Sequence, residues 1–306
     1  MHPLTFPARP KLVSHWMLTI GLALLLTGCL VPSPPSAKPP TGAQKVRLQS
    51  NFPGQPKIQA LALAAERGDA AEVRRLMKEE KVNPDGVFAK EGMPLVAWPV
   101  FLKNPEGLKA MLENGADPNA ATPIMDEPDK ERFKSRNENN ALVWAAKADD
   151  TIYLKLLLEH GGNPNTRNSN GETLLFQASV WGNRWHNVQT LVEHGANVNE
   201  PHAGMLKPIL QVYTGLGRFK EAYWLLEHGA DPTVMYRPGP GVKPRASYAI
   251  SAIFWHPGDP SDPTWQRKCQ QLLLQNGYQR PPLGENYRDM RKAFGFPYEE
   301  KDIPLL

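Results

Sequence analysis

The chain has 306 residues, 41% hydrophobic and 22% charged, enough apolar material for a well-buried fold and too much for a wholly disordered polar chain. Its formal net charge of +4 is mild for this length and implies no concentrated basic face, so nucleic acid is not an expected partner. Two cysteines, Cys29 and Cys269, make neither a disulfide framework nor a metal motif.

Residues 1–28 have the order of a targeting signal. Arg9 and Lys11 supply a positive region, and Trp16–Leu26 is an apolar run of eleven residues. That is short of the roughly 20 residues a membrane span needs. The run closes on Leu26-Thr27-Gly28-Cys29, which resembles the lipobox of bacterial lipoproteins. The resemblance implies cleavage before Cys29, a diacylglyceryl thioether on its sulfur and an acylated new N-terminus. Two or more acyl chains give stable anchoring where one does not. Loss of Arg9 and Lys11 with the leader would leave 33 basic against 31 acidic residues, a net charge of +2. Position 30 is Leu, not the Asp that in similar lipoproteins signals retention at the inner membrane. Anchoring to the outer membrane, with the domain in the periplasm, is therefore expected over the inner membrane. With Cys29 acylated, Cys269 has no disulfide partner and is expected to be a small buried filler.

Residues 29–57 are expected to be the lipidated cysteine followed by a linker. Prolines fall at 32, 34, 35, 39, 40, 53 and 56, and no apolar periodicity survives, as in a stiff, extended Pro-rich segment.

From residue 58 one wording returns. MLENGADPN spans Met111–Asn119, LLLEHGGNPN spans Leu156–Asn165, LVEHGANVN spans Leu191–Asn199 and LLEHGADPT spans Leu225–Thr233; Gly161, Gly195 and Gly229 are 34 residues apart. Leucines near a helix end pack inward, glycine lets the backbone leave the helix, and Asn or Asp closes the next turn. Period and wording resemble the ankyrin repeat, whose helix start TPLH is matched by Pro94-Leu95. The resemblance implies an all-α solenoid of about six helix pairs with short β-hairpin-like loops over 58–280. The first pair is degenerate, as a cap should be. In the second, Trp98-Pro99 replace the family's alanine pair and suggest locally wider stacking. Residues 120–138 read as a polar central insertion. The third and fourth pairs match well, with Ala145-Ala146 and Thr173-Leu174. The fifth has Tyr213-Thr214 at the alanine pair. After the Pro/Gly loop 234–245 comes a sixth pair, then an extended C-terminal cap over 281–306, with a short helix at Asn286–Ala293 and a final Ile303-Pro304-Leu305-Leu306 that has no evident packing role.

No phosphate-binding, metalloprotease or nucleophile-elbow motif occurs, so no catalytic residue, metal ligand or cofactor is expected beyond the covalent lipid on Cys29. His160, His194 and His228 each precede a glycine at a helix end, where an imidazole suits the helix dipole and the last carbonyls. The remaining candidates are surface residues. By resemblance to the family, the position before the alanine pair points outward: Leu63, Ala97, Trp144, Gln177 and Val212. The two positions after the pair lie near hairpin tips and include Phe101, Trp181 and Leu216. Phe101, Trp144, Gln177, Trp181, Val212 and Leu216 are thus the expected protein-binding residues, whereas Trp185 and Trp224 are expected to pack. The partner implied is another protein, and the membrane is met through the lipid alone. Some bacterial lipoproteins that neutralise secreted toxin effectors, including those of type VI secretion, carry repeat domains, so an immunity protein that occludes its effector is the sharper expectation. The alternatives are an envelope scaffold or an accessory protein for a periplasmic enzyme.

Overall fold

The computed structural model describes residues 38–89, 92–121, 139–201, 207–234, 248–259 and 261–306. The expected signal segment, Cys29, nearly all of the insertion and most of the Pro/Gly loop lie outside them. Contacts divide the chain into Met1–Pro39 and Pro40–Leu306, and the second unit is described here.

Helices stack in antiparallel pairs. The first pair is α2 (Pro56–Arg67) with α3 (Ala70–Arg74), which continues as a wider π turn, Arg75–Glu79. The next are α4 (Trp98–Phe101) with α5 (Pro105–Glu113) and α6 (Ala141–Ala146) with α7 (Ile152–Glu159). Then come α8 (Leu174–Val180) with α9 (Trp185–Glu193), α10 (Ile209–Gly215) with α11 (Phe219–Glu227), and α12 (Ala249–Trp255) with α13 (Thr264–Gln275). These are the six pairs expected. Inner helices follow one another from α4 to α6 to α8, and outer helices from α5 to α7 to α9. Only isolated β-bridges, Phe88 to Pro94 and Arg167 to Thr173, occur in the connecting turns among the described residues.

Side chains start and stop the helices where the sequence suggests. Asn140 and Thr173 accept backbone N–H groups at the starts of α6 and α8. Gly161, Gly195 and Gly229 leave α7, α9 and α11 with φ of 88°, 88° and 86°, a region in which a Cβ is strained. Ala145 and Ala146 are fully buried, as is Leu154. In the second pair, Trp98 at the alanine position is also buried, and a short 3₁₀ turn, Leu95–Ala97, precedes a four-residue α4. Between the fourth and fifth pairs, Trp185 packs edge-on against Tyr213 and Trp224, with centroids 5.2 and 5.4 Å away. Trp185 and Trp224 thus pack, as expected.

Two expectations are corrected. Residues 41–57 are not linker: α1 (Gly42–Asn51) is a helix closed by a Thr41/Gln44 capping box, and Leu48 and Phe52 are buried in the same core as the repeats. The helix forms because Thr41 and Gln44 satisfy each other's backbone N–H groups. The C-terminal tail is also fixed to its end. Ile303 is buried and the Leu306 amide donates to Gln270 Oε1 at 2.9 Å. Helix α14 (Glu285–Ala293) packs this tail on the last pair through Arg291, which donates to the carbonyls of Trp255 and Pro297. Arg280 lies 3.9 Å above the Trp255 ring and donates to the Ile303 carbonyl. Cys269 is fully buried, pushed up to about 12 by burial, and is the filler expected.

Candidate protein-binding site

The tips of α4, α6 and α8 carry a row of aromatic rings. Trp98 leans on Phe101, centroids 6.3 Å apart, and Phe101 meets Trp144 edge-on at 6.5 Å. The Nζ of Lys147 then lies 5.1 Å from the Trp144 ring and 5.5 Å from that of Trp181. Phe101 is 55% exposed and Trp181 58% exposed, unusual for side chains of this size. Between them opens a groove of about 660 Å³, walled by Val100, Phe101, Trp144, Ala148, Tyr153 and Trp181. A second lobe of about 670 Å³ shares Trp144, Lys147 and Trp181 and runs on to Asn139, Asn168 and Glu172.

Charges sit at defined places around this groove. Asp149 bridges Arg184 at 2.5 Å and Lys103 at 3.8 Å, tying the second, third and fourth pairs together at their tips. Asp150 caps the Ile152 amide. Burial lowers the Lys147 pKa from its ordinary value, while the Glu172 carboxylate acts against that shift. Trp144 carries a buried Nε1–H with no hydrogen-bond partner among the described residues.

Away from the groove, the repeats are cross-linked by one ladder. Asn119 donates to the Gly161 carbonyl and accepts from the Asn163 amide. Asn165 does the same with Gly195 and Asn197, and Asn199 with Gly229 and Asp231. At the outer-helix ends, the Nδ1 atoms of His160, His194 and His228 lie within 2.8 Å of the carbonyls of Leu156, Thr190 and Trp224, four residues back. The histidines therefore cap helices. No group of three or more metal-ligating side chains gathers among the described residues, and no helix among them is long and apolar enough to cross a membrane.

Residues 124–202 match the family model of ankyrin repeats (3 copies). The crystal structure of the ankyrin repeat domain of Bcl-3, described as a unique member of the IkappaB protein family, superposes with a TM-score of 0.52 at 18% identity, covering 72% of this chain and 86% of that one. Residues 124–202 carry ankyrin repeats, and the helix pairs have the ankyrin-repeat fold. A curated relative, Protein PhlB of Serratia liquefaciens, is 32% identical over 134 residues, 44% of this chain; the chain spans 52% of that relative's length.

Within the ankyrin stack, the six expected binding residues separate. Phe101, Trp144 and Trp181 come together in the groove. Leu216 is 67% exposed at the tip of α10 and lines neither lobe. Val212 is half-buried and packs on the core. Gln177 is 2% exposed, its amide donating to Glu172, which also accepts from Asn168; it meets the groove only as part of the wall of the second lobe, beside Trp144 and Trp181. Ala97 is fully buried as well. Trp144 is only partly buried, with its edge against Phe101 and its face toward Lys147. The outward residues of these short inner helices are thus those at the tips, past the alanine pair. Reasoning from sequence misses Lys147, Lys103 and Tyr153 as groove residues; Lys147, one residue past the Ala145-Ala146 pair, stands at a tip position, where an apolar pattern does not reveal a lysine.

Proposed function

We propose that this chain is a protein-binding ankyrin module held at the outer membrane, facing the periplasm, by lipid on Cys29. It docks a single protein partner in the tip groove. We further propose that this partner is a secreted toxin effector, which the module neutralises by occluding its active region. One observation carries the reading: two aromatic side chains more than half exposed, Phe101 and Trp181, flank a groove that crosses the second, third and fourth pairs. Such rings cost little entropy to hold and lose much water on docking, the character of an interface hot spot. Ankyrin repeats in general serve protein–protein interaction and not catalysis, which accords with this reading.

Co-expression with the product of a neighbouring effector gene tests it. Restored growth, and one stoichiometric partner captured by the full-length chain, support the reading. Absence of rescue with any adjacent effector defeats the toxin assignment, and a diffuse set of weak partners favours a scaffold. Intact-mass measurement tests the anchor: wild type should carry the lipid mass and Cys29→Ser should not.

A further inference from the structure

We propose that the tip groove recognises a carboxylate side chain flanked by apolar residues on its protein partner, with Lys147 as the counter-charge. This rests on the protein-binding reading above and names the chemistry of the segment bound.

Of the two lysines in the groove, Lys103 is paired and Lys147 forms no ion pair among the described residues. Each carboxylate there is already occupied: Asp149 by Arg184 and Lys103, Asp150 by the Ile152 amide, and Glu172 by Asn168 and Gln177. The Lys147 ammonium is held between the faces of Trp144 and Trp181. Burial disfavours its charged form, and the Glu172 carboxylate offsets that only in part. The two rings fix its position, so little side-chain freedom remains to be lost on docking.

Consider what could fill such a groove. A purely apolar segment would strip the remaining water from Lys147 and return nothing, which is costly for a charge. A basic segment would meet Lys147 and Lys103 with like charge. A phosphate asks for several convergent donors, whereas the walls are Val100, Phe101, Ala148 and Tyr153, and Lys103 already faces Asp149. A carboxylate restores the hydration that Lys147 loses through a charge-assisted hydrogen bond, and its apolar neighbours cover Phe101 and Trp181.

The test is selection from a random peptide library against the full-length chain, followed by affinity measurement on the selected synthetic peptides. Enriched peptides should carry Asp or Glu beside aromatic or aliphatic residues. Lys147→Gln should weaken them at least about thirtyfold, as should Glu→Gln in the peptide, because a carboxylate left buried without its partner is penalised. The two losses should not add. Lys147→Arg should retain most of the affinity, and Lys147→Gln should keep the wild-type fold by circular dichroism, since no intrachain ion pair is lost. If selected peptides lose affinity on Trp181→Ala but ignore Lys147→Gln, the carboxylate assignment is overturned while the protein-binding groove stands. If no peptide is enriched, or Trp181→Ala changes nothing, both fall.

Discussion

Phe52 meets Trp98 edge-on, ring centroids 5.2 Å apart and planes at 67°, and both side chains are buried. This contact anchors α1 to the second repeat and makes residues 41–52 the true start of the domain. Phe52→Ala should therefore cost roughly 3–5 kcal/mol, the price of emptying a fully packed aromatic site. Removing residues up to 40 should leave urea unfolding unchanged, whereas removal through 52 should lower the midpoint sharply. Equal midpoints for the two deletions would show that α1 contributes nothing to the stack.

Gly107 lets α5 approach the backbone of α2 closely. A Cβ built there would lie 1.7 Å from the Ala65 carbonyl oxygen, a backbone atom that cannot step aside alone. Helix propensity alone makes Gly107→Ala stabilising by about 1 kcal/mol. The crowding predicts the opposite sign, a loss on the order of 1–3 kcal/mol as α2 and α5 are pushed apart. Chemical denaturation of the variant decides between them by sign.

Asn165 joins the third repeat to the fourth through two hydrogen bonds, to the Gly195 carbonyl and from the Asn197 amide. Both are solvent-accessible, so Asn165→Ala should cost only about 1–2 kcal/mol. Hydrogen exchange should localise the change to the amides of the following turn, Asn197 above all. Uniform loss of protection across the stack would mean that the ladder does not act between neighbouring repeats.

The ladder is also the part of the structure most legible in the sequence. Asn119, Asn165 and Asn199 recur at one place in a repeated wording because each meets the same backbone groups of the next repeat, and His160, His194 and His228 recur for the same reason. Contacts that are not periodic leave no such trace. Helix α1 is polar, with Leu48 its one buried residue, so apolar periodicity could not reveal it; the Thr41…Gln44 capping pattern could have. The burial of Gln177 depends on Glu172 folding back over it, and the position of Lys147 depends on Trp181 arriving from the next repeat. Both are settled by side-chain packing rather than by the repeat.

His256 gives the C-terminal cap a pH dependence. Burial first, and then the Arg291 charge, lower its pKa below the ordinary 6.5. Its Nδ1 accepts from the Gly258 amide at 3.0 Å, a bond that protonation abolishes. Because the folded value is depressed, the unfolded chain takes up the proton first. The stability His256 contributes is complete above about pH 6.5 and is lost as pH falls through that value toward the folded one. Asp259 and Arg291 share its cavity; the Ser261 hydroxyl holds the Asp259 carboxyl below its usual range, so both keep their charge across this window. His256→Asn, which keeps an acceptor for Gly258, should flatten the decline in thermal midpoint. An unchanged pH profile would move the titrating group elsewhere.

Trp144 and Trp181 line the same groove but differ in depth, and this separates binding from folding. Trp181 is 58% exposed, and among the described residues its one ring contact is Lys147, so Trp181→Ala should leave unfolding within about 0.5 kcal/mol of wild type. It should still weaken partner binding by at least about 2 kcal/mol, because the ring is desolvated only in the complex. Trp144 is half-buried, packed on Phe101 and the core, so Trp144→Ala should cost roughly 1–3 kcal/mol of stability as well as affinity. Difference fluorescence against each variant should show water-like emission from Trp181 and a bluer emission from Trp144. Partner binding should then shift Trp181 to the blue and leave Trp144 nearly unmoved. A blue-shifted Trp181 in the free protein, with a large loss of stability on truncation, would place this face inside the molecule and move the docking surface to other tips, of which Leu216 at the end of α10 is the most exposed.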